Sequence, residues 1–148
     1  MDPFPHRYTV HAAIRPDGDV PLSTEGVRVI ESSAPKEFGG PGNQWSPEGL
    51  LTAAVADCFA LNFRAIATAS RFAWHSLDVR TQGTLDRIDG KTRFTRFDTH
   101  ARLHIGAAGD LERAKKLLDK AEATCLVANS LSGERHLTIE ITGSSPMT

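Results

Sequence analysis

The residues best suited to chemistry in this 148-residue chain are its two cysteines, Cys58 and Cys125. Cys58 sits in "VADCFALNF" and Cys125 in "ATCLVANSL", and both stretches carry apolar residues at helical spacing. A cysteine in such a setting can be a small core hydrophobe, because free cysteine is among the most buried residue types. Two cysteines whose Cα atoms come within about 7 Å can also form a disulfide. In a reducing compartment such a pair is more often catalytic or redox-sensing than structural. Both segments should share one core, so a meeting is geometrically feasible. Packing and thiol chemistry both remain open at this point.

The other chemistry-bearing residues are less pointed. Glu48 opens the helix that carries Cys58, where a first-turn acid is explained by the helix dipole. It precedes Cys58 by ten residues, roughly 15 Å along a continuous helix. A site using both would be built more naturally across a subunit interface. Arg64 follows Cys58 on the same apolar helix, where a buried charge would need a partner such as Asp57 or a neighbouring Glu48. Arg15 stands at a turn after the first strand. His100 and His104 share a strand face with charged residues, without the spacing of a zinc site. "GGPGN" lacks the Lys-Ser/Thr of a phosphate-binding loop. No metal or resident cofactor is expected.

These residues must be positioned by a small set of elements. "HRYTVHAAI" reads as a first strand with Tyr8, Val10, Ala12 and Ile14 on one face, and "GVRVIES" as a second. A Gly/Pro-rich loop, "APKEFGGPGNQW", leads to a long helix. Ser46 suits its N-cap, Pro47 its first position and Glu48 its positive end. From Leu50 onward that helix is apolar on almost every side, which predicts burial all round, with a partner subunit completing the cover. "WHSLDVRTQGTLDRI" and "KTRFTRFDTHARLHI" are strands joined at Asp89-Gly90, a type I′ hairpin signal. On the second, Phe97, Thr99, Ala101, Leu103 and Ile105 alternate with Arg96, Asp98, His100, Arg102 and His104, the pattern of an antiparallel sheet with one wet face. "GDLERAKKLLDKAEATCLVANSL" predicts one amphipathic helix, capped by Asp110, with Cys125 on its apolar stripe. "HLTIEIT" closes the chain as a strand. The expected order is β-β-α-β-β-α-β, a single α+β domain over residues 1–148 with helices on antiparallel sheets.

Composition narrows the function. Hydrophobic residues make up 40% of the chain and charged ones 24%, with a net charge of −1. That balance gives no electrostatic reason to bind nucleic acid or an anionic membrane. Asp57, Asn62 and Arg64 interrupt the only long apolar stretch, which argues against a membrane span. The N-terminal "MDPFPHRYTV" has no apolar signal region, so a cytoplasmic location is expected.

"SPEGLLTAAVADCFALNF" resembles the cysteine helix of the OsmC/Ohr family, the osmotically inducible and organic hydroperoxide resistance proteins. "KAEATCLVANSL" resembles that family's second cysteine motif. The acidic residue ten positions before the first cysteine, the separation of the two cysteines, the element order and the "GGPG" loop fit as well, so that the likeness runs from about Tyr8 to Thr142. Leu126 stands where the hydroperoxide-resistance branch has proline after the second cysteine, and places the chain nearer the OsmC-like branch. The resemblance implies an intertwined homodimer with two active sites at the subunit interface and a thiol peroxidase activity on organic hydroperoxides. It implies Cys58 as the peroxidatic thiolate and Cys125 as the resolving thiol. Glu48 would orient an arginine that activates Cys58; "IRPDG" makes Arg15 the candidate, with Arg64 second. Recycling would use an external dithiol, dihydrolipoamide or a lipoylated protein, with no metal, flavin or haem. The competing expectations are a non-catalytic protein holding a lipid-like ligand at the dimer interface, and a slow redox sensor.

Overall fold

The computed structural model describes residues 2–106 and 109–143. They form two compact units that divide between Leu51 and Thr52.

The first unit holds a small antiparallel sheet of three short strands, β1 (His11–Ala12), β2 (Val20–Ser23) and β3 (Ile30–Ser32), in the order β1-β2-β3. The first strand read from the sequence shrinks to two residues, and the second to its last three. Tyr8, Val10 and Ile14 are largely exposed, as are Val27 and Val29, so the apolar alternation finds no second layer within this unit. The strand Val20–Ser23 was not expected. Pro21 sits inside it without an N–H to donate, and a proline in a short run argues against a strand in sequence terms. A single turn of 3-10 helix follows at Lys36–Phe38, in the Gly/Pro-rich loop.

Helix α1 (Pro47–Ala69) starts as its sequence predicts. The Ser46 hydroxyl accepts the Gly49 N–H at 3.0 Å, Pro47 takes the first helical position, and Glu48 lies in the first turn. Its length and composition would suffice to cross a bilayer. Within the second unit, however, it contributes Phe59, Phe63 and Ala67 to the core. Burial all round is not what the chain shows. Only the stripe Val55, Phe59, Phe63 and Ala67 is buried, while Leu61 is 48% exposed. Within the second unit one sheet covers one face of the helix.

The second unit is built on strands β4 (Ser76–Ile88) and β5 (Lys91–Ile105), an antiparallel hairpin. Asp89 (φ 52°) and Gly90 (φ 78°) both take the left-handed conformation that a type I′ turn requires. The alternation on β5 holds: Phe97, Thr99, Ala101, Leu103 and Ile105 are buried, and the last three pack with helix residues in the core. Arg102 and His100 on the opposite face contact Glu140 instead. At Gly83 on β4 the side of Thr52 from α1 comes so close that an added Cβ would lie 2.9 Å from its Oγ1. The glycine lets helix and sheet approach at that point.

Strand β6 (Glu134–Gly143) pairs with β5 in parallel, giving the order β4-β5-β6. The wholly antiparallel sheet expected from alternation is therefore corrected to a mixed one. The crossover from β5 to β6 runs through helices, so the chain re-enters the sheet in the direction it left. Those helices are α2 (Leu111–Ala123) and α3 (Leu126–Asn129). Asp110 caps α2 by accepting the Arg113 N–H at 3.0 Å. The core between helices and sheet is made by Phe59, Phe63, Leu103, Ile105, Leu117 and Leu118, with Trp74 edge-on to Phe63.

Candidate active site

Cys125 does not ride on the apolar stripe of one long helix. The helix breaks at Thr124 (φ −105°, ψ 11°), and Cys125 (φ −67°, ψ 105°) becomes the extended N-cap residue of α3. A helix end leaves its last four carbonyls without intrahelical donors, and here each of the four is accounted for. Lys120 O accepts from the backbone N–H of Thr124 at 3.0 Å and from its hydroxyl at 2.8 Å. Ala121 O accepts from the side-chain amide of Asn62 on α1 at 3.0 Å. Glu122 O accepts the Cys125 N–H at 3.3 Å and a guanidinium N–H of Arg135 from β6. Ala123 O accepts from the amide of Asn129 on α3 at 3.2 Å. In an unbroken helix the carbonyls of 121, 122 and 123 would take the amides of 125, 126 and 127. Side chains of Asn62, Arg135 and Asn129 stand in for them. Arg135 also donates to the Glu122 carboxylate at 2.8 Å and to Asn129 Oδ1 at 2.6 Å, which ties the two sides of the break together.

At the break Cys125 lies close enough to Cys58 for one thiol to act on the other. Both are free cysteines. Their surroundings differ. Cys58 is half-buried and lines an open cavity of about 400 Å³ with Asp57, Leu61 and Asn62 from α1 and with Leu126 and Val127 from α3. Cys125 is fully buried behind it. Burial pushes the Cys125 thiol up to about 11; the Ala128 N–H pulls the other way, while Cys58 and the Glu122 carboxylate add to the rise. One thiol is thus open to a small reagent, and its neighbour is shielded and held protonated. That arrangement suits an ordered reaction in which Cys58 meets the reagent first and Cys125 acts second.

The remaining sequence candidates are not among the residues lining the Cys58 cavity. Glu48 lines a cavity of about 440 Å³ in the first unit, with Ala12, Val20, Leu22 and Phe38 among its apolar walls. Arg15 is exposed in the segment between β1 and β2 and is not among the residues lining that cavity. Arg64 is exposed on α1, about 240° around the helix from Cys58. The expectation that it is a buried charge in need of a partner is corrected: it projects where water reaches it. Sequence reasoning missed Asn62, Asn129 and Arg135. Only Asn62 carried a local signal, as a lone amide one turn beyond Cys58 in an otherwise apolar stretch.

The profile of a family described as OsmC-like protein matches residues 40–142. An uncharacterized protein of Bacillus subtilis, YmaD, is 26% identical over 125 residues, covering 82% of this chain and 83% of its own. An OsmC-like protein of unknown function from Vibrio cholerae superposes with a TM-score of 0.82 at 20% identity, over 90% of this chain and 99% of that one. An organic hydroperoxide resistance protein OsmC from Legionella pneumophila superposes with a TM-score of 0.70 at 23% identity, over 93% and 97%. These likenesses establish the fold.

Proposed function

The chain belongs to the OsmC-like protein family, and on that premise we propose that it is a thiol-dependent peroxidase that reduces organic hydroperoxides. The observation that carries the reading is the contact between an accessible Cys58 and a buried Cys125. In the first step the Cys58 thiolate attacks the terminal oxygen of ROOH. The O–O bond breaks, the alkoxide takes up the proton that Cys58 released on ionising and leaves as ROH, and Cys58 becomes a sulfenic acid. In the second, the Cys125 sulfur displaces hydroxide from that sulfenic acid, giving a Cys58–Cys125 disulfide and water. An external dithiol, dihydrolipoamide or a lipoylated protein, then returns both thiols. Leu61, Leu126 and Val127 around the cavity favour a peroxide with an apolar tail over hydrogen peroxide.

The thiol that starts this cycle needs a cation to hold it ionised. We assign that role to Arg15 oriented by Glu48, in a cytoplasmic homodimer whose partner covers the open face of α1. The half-exposed Leu61 and the exposed Leu126 supply apolar surface for such a cover. The whole chain then acts as one antioxidant domain.

Replacement of either cysteine tests the scheme. Cys58→Ser abolishes peroxide consumption. Cys125→Ser leaves a Cys58 that takes up peroxide once and then over-oxidises to sulfinic acid. Full peroxidase turnover in Cys58→Ser would refute the assignment. The mostly apolar cavity beside Glu48 favours one second reading, a carrier of a lipid-like ligand. In that case both cysteine variants keep their ligand affinity and neither thiol responds to peroxide.

A further inference from the structure

The geometry points to Asn62 as a positioning residue for the resolving thiol: it holds open the helix break that sets Cys125 against Cys58. The inference rests on the two-cysteine reading above and adds a residue to it. Asn62 lies four positions beyond Cys58 on α1, on the same face one turn along. Its amide donates to Ala121 O at 3.0 Å and to Thr124 Oγ1 at 2.8 Å. Ala121 O is the carbonyl that the Cys125 N–H would take if α2 simply continued. With that acceptor occupied, the Cys125 N–H turns to Glu122 O, and the residue adopts the extended conformation of an N-cap. Thr124 completes the link by passing its own hydroxyl hydrogen to Lys120 O. One amide therefore ties the helix of the first thiol to the turn of the second. Beside Arg135 and Asn129, which hold the other carbonyls of the break, it is the contact that joins the break to the helix of Cys58.

Asn62 neither accepts nor releases electrons. It raises the local concentration of the Cys125 sulfur at Cys58, so its effect is on the equilibrium of the disulfide. That equilibrium can be read without any peroxide. Two protein thiols plus cyclic oxidised dithiothreitol give the Cys58–Cys125 disulfide plus reduced dithiothreitol, and atoms and electrons balance. The experiment equilibrates the full chain in graded ratios of reduced to oxidised dithiothreitol. Samples are quenched in acid and the disulfide is counted by mass spectrometry.

The wild-type protein forms the disulfide. Asn62→Asp, nearly the same size but unable to donate to Ala121 O, lowers the exchange constant by about tenfold, the effect of one lost hydrogen bond at a buried carbonyl. Thr124→Val, which removes the second acceptor, lowers it in the same direction, and Thr124→Ser restores the wild-type value. If Asn62→Asp loses its fold, the Thr124 pair carries the test alone. An exchange constant in Asn62→Asp, or in Thr124→Val where that variant stands in, within twofold of wild type or above it overturns the inference. So does a wild-type chain that forms no disulfide at any ratio. Failure of the peroxidase reading is separate: it shows as a disulfide that forms with dithiothreitol and is not formed by hydroperoxide.

Discussion

Cys125 should be the slow thiol, by an amount that its burial sets. The cleanest perturbation is Cys58→Ser, which leaves Cys125 as the only thiol in the chain. Cys125 is fully buried, and its pKa stands at about 11 against an ordinary value near 9; loss of hydration is the largest influence and persists in the variant, while the smaller contribution of Cys58 goes. At pH 8 a thiol with pKa 11 is ionised to roughly one part in a thousand, and one with pKa 9 to about one part in ten. Alkylation proceeds through the thiolate, so Cys125 should react more slowly than an ordinary thiol, by up to about a hundredfold before any added loss from poor access. The assay is iodoacetamide labelling of Cys58→Ser from pH 7 to pH 10.5, with the modified peptide quantified by mass spectrometry. The rate should still be climbing steeply at pH 10. A plateau near pH 9, or a rate at pH 8 equal to that of a free thiol, would refute the burial argument.

The same shift links stability to pH. The unfolded chain loses the Cys125 proton near pH 9 and the folded one only near 11, so the stabilisation present below pH 9 is lost as pH rises towards 11. Its size is on the order of 2 kcal/mol, and urea titrations should show the fall in wild type and not in Cys125→Ala. Leu103→Ala, at a fully buried site beneath the helices, should cost about 2–5 kcal/mol in the same titrations. Gly83→Ala places a methyl 2.9 Å from Thr52 Oγ1 and 3.0 Å from the Phe94 ring. It should destabilise the protein by about 1–3 kcal/mol, seen as a lower melting temperature.

Local rules carried much of this fold into the sequence. The Ser46 cap, the Asp89-Gly90 turn and the two faces of β5 are each decided by residues a few positions apart, and each stands where the pattern put it. What escaped depends on distant partners. The break before Cys125 is held by Asn62, more than fifty residues upstream, and by Arg135 from a later strand. The sequence around Thr124 has no proline or glycine to announce a stop, so periodicity runs straight through it. The direction of β6 was hidden for a related reason: alternation is the same in parallel and antiparallel strands with one wet face. At the site, the types of Cys58 and Cys125 were legible while their unequal environments were not. Exposure and ionisation of a thiol come from what packs on it, and that is settled by Ala128, Glu122 and the walls of the core.

The proposed pairing of Cys58 and Cys125 in one redox cycle can be tested in a single turnover. The most direct measurement mixes the fully reduced protein with one equivalent of cumene hydroperoxide, counts free thiols over time and locates any new bond by mass spectrometry. A redox pair loses both thiols rapidly and forms a single Cys58–Cys125 disulfide, with one equivalent of cumyl alcohol released. Two thiols that survive an excess of the peroxide would contradict it.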